Sequence, residues 1–373
     1  MLIGVPKEIK PQENRVGLVP ASVRELIRVG AQVMVEQHAG FGVGISDETY
    51  REAGAEIVTT AEEVYARATL IIKVKEPQPQ ECQRMHAGQT LFTFLHLAPD
   101  VQQIKLLQAS GVTAIAYETV TQAGGGLPLL TPMSEIAGAL AIQAGAHCLE
   151  ANQGGSGKLL GGVPGVAPGH VVILGGGAAG TQSIRCAIGL GARVTVLDNS
   201  VTRLRELDNR FHTRLQTLYA THEAIDRAVA DADLLIGAVL IPGATAPKLV
   251  SHDAIRAMRK GSVVVDIAID QGGCFATSRP TTHHAPTFVV DGVVHYCVTN
   301  MPGAVPQTST LALNNASLPF IVNMVKLGIK QTLLGDPYLL NGLSIHAGRL
   351  TYPTVAEAVN GPFVPPHEAL NLV

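Results

Sequence analysis

Two patterns alternate along the chain. Short apolar runs rich in β-branched residues predict strands at 2–5, 33–36, 70–74, 91–95, 114–117, 171–174, 193–197, 234–237, 262–266 and 288–290. Helix-like stretches separate them, and one junction recurs: a helical stretch ends at glycine and a strand follows. It occurs at Gly30 before Val33-Met34-Val35, at Gly111 before Ala114-Ile115, and at Gly191 before Val194-Thr195-Val196-Leu197. Glycine just past a helix takes the left-handed conformation cheaply, and the strand then starts. Strands alternating with helices imply parallel sheets covered on both faces. The fold expected is α/β, with two doubly wound, Rossmann-like domains.

Two irregular stretches interrupt this alternation: the run Gly124-Gly125-Gly126 and the stretch from Asn300 to Pro306. They predict a central nucleotide-binding domain over 129–305. The other domain would be discontinuous, built from 1–128 plus 306–373, with a cleft between the two. A long helical pattern over 308–334 opens the returning tail. Residues 131–152 are rich in Ala and Gly, and small residues allow close helix packing, so a buried helix packing between domains or subunits is expected there.

Composition narrows the class. In 373 residues, 46% are hydrophobic and 15% charged, enough core material to argue against disorder. Lys and Arg total 27 and Asp and Glu 30, a net charge of −3. Near-neutrality gives no electrostatic reason to expect nucleic acid or an anionic membrane. Mean hydropathy is positive, at +0.25, but the most apolar long window, 171–197, is broken by glycines and by Arg185 and Arg193, so no membrane span is expected. The first residues carry charge at Lys7 and Glu8 with no long apolar run, so no secretory leader is expected. Five scattered cysteines with no CxxC fit a reduced, cytoplasmic chain.

The strongest local motif is Gly175-Gly176-Gly177-Ala178-Ala179-Gly180, read as G-x-G-x-x-G. It follows the apolar run 170–174 and opens a helical stretch. Gly175 makes the tight turn, Gly177 lets a pyrophosphate approach the backbone, and Gly180 lets helix and strand pack closely. The helix N-terminus offers free amides to the phosphates. Asp198 ends the next strand, 23 residues after Gly175, close to the spacing of an acid that binds ribose. A carboxylate there accepts from a 2′-hydroxyl and repels a 2′-phosphate, which favours NAD over NADP. Arg203 argues the other way unless it flanks the adenine or a phosphate.

Ligands in open α/β sheets bind beyond the carboxyl ends of strands. Four charged or proton-transferring residues stand there. Lys75 closes the run 70–75, and His96 follows 91–95. Asp270 follows 263–269, and Arg15 sits in the loop after the first strand. Each also has a structural alternative. Lys75 would be a solvated edge lysine, His96 a core or capping histidine, Asp270 a turn former, and Arg15 a surface partner of Glu13 or Glu8. His283-His284 lacks a supporting acid or cysteine cluster, and no metal is expected.

These segments together resemble the alanine dehydrogenase family, which includes the NAD-binding subunit of the proton-pumping transhydrogenase. The resemblance spans the whole chain. It rests on Ile3-Gly4-Val5-Pro6-Lys7-Glu8, Glu13-Asn14-Arg15-Val16, Lys73-Val74-Lys75-Glu76-Pro77, Thr93-Phe94-Leu95-His96-Leu97-Ala98, Asp266-Ile267-Ala268-Ile269-Asp270-Gln271-Gly272-Gly273 and Asn300-Met301-Pro302. It implies NAD-dependent, reversible deamination of L-alanine to pyruvate and ammonium by a homohexamer. By the same resemblance Arg15 and Lys75 hold the substrate, and His96 and Asp270 form the acid/base pair. Ser134, Asp198, Arg203, Val239, Ile267 and Asn300 contact the cofactor. One departure is Ala220, where the family pattern places a serine near the adenine. The rival readings are a transhydrogenase-type subunit without amino-acid chemistry and a silent NAD-binding sensor.

Overall fold

The computed structural model describes residues 1–239 and 246–372. It contains fifteen strands among those residues: β1 (Leu2–Val5), β2 (Gln32–Glu36), β3 (Glu56–Val58), β4 (Leu70–Ile72), β5 (Thr90–Thr93), β6 (Thr113–Ala116), β7 (His170–Leu174), β8 (Arg193–Asp198), β9 (Gln216–Tyr219), β10 (Leu234–Gly237), β11 (Val263–Asp266), β12 (Thr287–Val290), β13 (Val293–Tyr296), β14 (Leu343–His346) and β15 (Arg349–Leu350). They form two α/β units. One comprises Met1–Met133 and Val305–Val373, the other Ser134–Ala304. The division falls inside the helix Thr131–Cys148, a few residues past the glycine run.

The first unit holds an eight-stranded sheet in the order β15-β14-β6-β5-β4-β1-β2-β3. The pairings from β3 to β6 are parallel, and β14 pairs antiparallel with β6. The strands β4, β5 and β6 are buried along their whole length, which is why they read as near-continuous apolar runs broken only by threonine. The order reverses between β1 and β4, the switch point at which such sheets bind ligands. The returning tail is stitched to the loop after β1. The amide of Val16 donates to Thr310 Oγ1 at 3.3 Å, and Asn314 bonds the amide of Val19 at 2.9 Å and the carbonyl of Gly17 at 3.2 Å. The helical pattern expected over 308–334 is two helices, Pro306–Leu327 and Ile329–Gly335. Gly328, at φ 83°, breaks it, a backbone angle that other residues adopt only with strain.

The second unit holds a seven-stranded sheet in the order β12-β13-β11-β10-β7-β8-β9. It is parallel except for the edge pair β12–β13, so both sheets are mixed rather than wholly parallel. Its switch point lies between β7 and β10. The small residues of the helix Thr131–Cys148 serve packing within this unit. A Cβ on Gly138 would lie 2.1 Å from the carbonyl oxygen of Ala179, so this helix sits directly on the start of the helix that follows the glycine loop. Ser183 Oγ donates to the carbonyl of Gly138 at 2.8 Å and secures the contact. All five cysteines are free, and no helix among the described residues is long and apolar enough to cross a membrane.

Candidate active site

In the first unit, Arg15, Lys75 and His96 stand in the loops after β1, β4 and β5, on the carboxyl side of the switch point. Arg15 is buried. Its Nε donates to Glu13 Oε1 at 2.6 Å and its Nη2 to Glu13 Oε2 at 2.5 Å, a fork that fixes the guanidinium plane. Nη1 points at the sulfur of Met133, 3.2 Å away. The expected pairing with Glu13 is therefore real, but it lies in the interior rather than at the surface. Burial works to raise the Glu13 carboxyl, yet the hydrogen bonds and charge of Arg15, with a further pull from Lys75, hold it below the usual range.

Lys75 is buried, not a solvated edge lysine, and its Nζ lies 3.8 Å from Glu76 Oε2. Lys73, two residues back, faces a different environment. It is fully buried between Glu8 at 2.8 Å and Glu81 at 2.9 Å. Glu8 Oε1 also accepts the amides of Val74 at 2.7 Å and Lys75 at 3.3 Å, so this buried cluster shapes the backbone that carries Lys75. Burial, with the neighbouring Glu81 charge, pushes the Glu8 carboxyl up despite Lys73.

His96 is exposed, with its ring stacked parallel to Phe94 at 6.0 Å. Its φ of 47° is left-handed, a conformation of some cost for a non-glycine residue and one that clusters at functional sites. Glu118 holds it there. Its carboxylate accepts the amide of His96 at 2.6 Å and that of Leu95 at 3.2 Å. Glu118 lies 22 residues away in sequence, and nothing local marked it.

In the second unit the glycine loop follows β7 at the switch point. Gly175 has φ 96°, and a Cβ on Gly180 would lie 1.9 Å from the carbonyl oxygen of Gly175. Both glycines are therefore required by the protein's own packing. Gly177 is different. It caps the helix Ala178–Gly189 with an ordinary φ of −65°, and a Cβ there meets no protein atom within 4 Å. Space beside the helix N-terminus is left open in a backbone that does not need glycine, the arrangement a pyrophosphate requires. Ser134 lies one turn before Gly138 on the same helix face.

Asp198 ends β8 and accepts the amides of Gly176 at 2.7 Å and Ser200 at 2.8 Å, so it also shapes the loop. Arg203 lies against the loop from the following helix. Val239 packs on Gly175 beyond β10. Ile267 and Asp270 lie in the turn Ile267–Gln271 after β11, and Asp270 is exposed. The buried carboxylate of Asp266 fastens that turn by accepting from the amides of Ala268 and Cys274 and, at 2.6 Å, from Ser278 Oγ. Burial raises the Asp266 carboxyl above its ordinary range in spite of these bonds. Asn300 is left-handed at φ 55°, and its amide donates to Asp270 Oδ2 at 3.4 Å. The carbonyl of Asn300 faces His283 Nε2 at 3.3 Å. Among the described residues, no three His, Cys, Asp or Glu side chains gather as metal ligands.

Two family profiles match the chain. "Alanine dehydrogenase/PNT, N-terminal domain" covers residues 4–137 and "Alanine dehydrogenase/PNT, C-terminal domain" covers 141–353. The chain belongs to the alanine dehydrogenase/PNT family. Alanine dehydrogenase of Halomonas elongata is 54% identical over 373 residues, covering all of both chains. That of Methanococcus maripaludis is 52% identical over 372 residues, again with full coverage of both. A solved L-alanine dehydrogenase superposes with a TM-score of 0.93 at 52% identity, covering 96% of this chain and 99% of that one. The nucleotide held by this alanine dehydrogenase/PNT chain is NAD, and the open approach at Gly177 with the acid at Asp198 fits it. Four carboxylates, Glu8, Glu13, Glu118 and Asp266, accept backbone amides of the loops that display Lys75, Arg15, His96 and Asp270, a role the sequence reading had not given them.

Proposed function

We propose that the protein catalyses the reversible oxidative deamination of L-alanine to pyruvate and ammonium with reduction of NAD to NADH. The observation that carries this reading is the pair of buried cations, Arg15 and Lys75, brought to the carboxyl ends of β1 and β4. A small carboxylate substrate is what two such cations suit, and the full-length relatives named alanine dehydrogenase support L-alanine as that substrate. The first unit binds the substrate and the second binds NAD. We further infer a cytoplasmic homohexamer, on the family resemblance.

The nicotinamide, when bound, accepts the hydride from the substrate α-carbon. Arg15 and Lys75 anchor the carboxylate and so fix which face of the α-carbon is presented. Glu13, by occupying two donors of the Arg15 fork, keeps that guanidinium in one plane. The amine must be neutral before hydride leaves, so a base is needed. His96, exposed at its strand end, takes a proton at its imidazole nitrogen, and the Asp270 carboxylate relays protons to and from amine and water. Water adds to the imine, and collapse of the carbinolamine releases ammonium. The Lys75 ammonium stabilises the oxygen of the developing ketone.

The test is absorbance at the NADH band with purified protein, NAD or NADP, and a panel of small amino acids at alkaline pH. Rapid NADH formation with L-alanine, and much less with NADP or larger amino acids, is expected. No signal from any amino acid by a protein that binds NADH would replace this reading with the transhydrogenase-type or sensor one.

A further inference from the structure

The ribose end of the glycine loop carries an arginine flanked by two acids. Arg203 makes three contacts. Its Nε donates to the carbonyl of Gly176 at 2.7 Å, its Nη2 to Thr181 Oγ1 at 2.7 Å, and its Nη1 to Glu206 at 2.6 Å. Asp198 accepts the amide of the same Gly176. A Cβ on Gly176 would lie 3.3 Å from Asp198 Oδ2 and 3.5 Å from Arg203 Cγ, so acid and arginine flank one residue of the loop. The arginine is thus held over the loop in a fixed plane, beside the acid expected at the 2′-hydroxyl, and capped by a second acid one helical turn on.

We propose that Glu206 is a specificity-determining residue: with Asp198 it silences Arg203, which is otherwise a ready-made clamp for the 2′-phosphate of NADP. This rests on the reading of Asp198 as the ribose-binding acid. Asp198, Arg203 and Glu206 together carry a formal charge of −1, and a 2′-phosphate brings a charge approaching −2 at neutral pH. Phosphate is therefore repelled although an arginine stands beside it. Removing both acids turns the local charge to +1 and releases a planar fork that matches phosphate bidentately. The bonds to Gly176 and Thr181 keep the guanidinium in place when Glu206 is gone, so little ordering is lost on binding. The Glu206 carboxylate is more than half exposed, at 57%, so its grip on Arg203 is weak and its contribution is a factor of about five rather than orders of magnitude.

NADH and NADPH binding to the full-length enzyme, followed by nicotinamide fluorescence, tests this with E206Q, D198N, D198N/E206Q and D198N/E206Q/R203M. Asn at 198 keeps one oxygen to accept the Gly176 amide and gives up the acceptor that meets the Ser200 amide. D198N is expected to weaken NADH and strengthen NADPH. E206Q should add a further gain in NADPH affinity of about fivefold, in either background, with NADH unchanged. That gain should shrink as salt is added, and R203M should abolish it. An E206Q with unchanged NADPH affinity, or a gain that survives R203M, overturns the proposal while leaving the nucleotide site intact. An unchanged NADH-to-NADPH preference in D198N removes Asp198 from the ribose, and the proposal with it.

Discussion

Replacing Gly177 by alanine separates binding from folding more cleanly than any other change in the glycine loop. The added methyl meets no protein atom within 4 Å, and φ is −65°, an angle alanine adopts freely. Losing the N-cap glycine costs a few tenths to about 1 kcal/mol, and the stiffer unfolded chain returns about 0.4–1 kcal/mol. The two offset, so the melting temperature should move by no more than roughly 3 °C. The methyl does occupy the space kept for the pyrophosphate, and NADH affinity should fall about 10- to 100-fold through lost close contacts and displaced amide bonds. Gly180→Ala is the internal comparison. Its Cβ would lie 1.9 Å from the carbonyl oxygen of Gly175, and backbone cannot yield cheaply, so a loss of about 3 kcal/mol or more of stability is expected. Thermal melting and NADH fluorescence titration read the two effects. A G177A protein that binds NADH within twofold of the parent would refute the claim that this space is reserved for the cofactor.

Three further outcomes follow from the same geometry. His96→Ala and Asp270→Ala should each lower turnover about 10²- to 10⁴-fold while keeping NADH affinity, and near-normal turnover in either variant would take that residue out of the proton path. Glu118→Ala strips the acceptor from the His96 and Leu95 amides and should reduce kcat about tenfold or more by misplacing the imidazole, whereas Glu118→Gln, which keeps an acceptor, should restore most of it; equal kcat for the two variants would contradict a positioning role. Because the folded Glu13 carboxyl sits below its ordinary value, its contribution to stability is fully present above about pH 4.3 and is lost as the pH falls through the lowered value. The melting-temperature gap between the parent and Glu13→Gln should therefore be widest near neutrality and close in acid, and a gap constant across that range would show that the ion pair is not its source.

The legible parts of the fold are those whose constraints are local. Strands buried on both faces, such as Val171-Val172-Ile173-Leu174, announce themselves as apolar runs, and the glycine loop follows from its contact with the strand before it. The strands Glu56–Val58 and Gln216–Tyr219 escaped notice because they are short sheet edges, half exposed and correspondingly polar. The break at Gly328 was readable, since a glycine after Lys326 in the last turn is a stop signal, but the long apolar pattern around it dominated. At the proposed site, the candidate residues Arg15, Lys75, His96 and Asp270 stand after strand ends, a position the sequence pattern makes legible. The carboxylates that support them are not legible in that way. Glu118 reaches His96 across 22 residues and Glu8 reaches Lys73 across 65, contacts that only the assembled sheet creates. Asp266 was the exception in principle, because a carboxylate closing the buried run Val263-Val264-Val265 had to find partners.

The central claim is a balanced reaction, and the most direct measurement is its stoichiometry. Purified protein is incubated with excess NAD and a limiting amount of L-alanine at alkaline pH, with pyruvate trapped as its hydrazone to drive completion, and NADH, the pyruvate hydrazone and ammonium are each quantified at the end point. The account predicts equal amounts of all three, matching the L-alanine consumed. NADH without matching pyruvate and ammonium, or L-alanine left untouched by a protein that binds NADH, would contradict it.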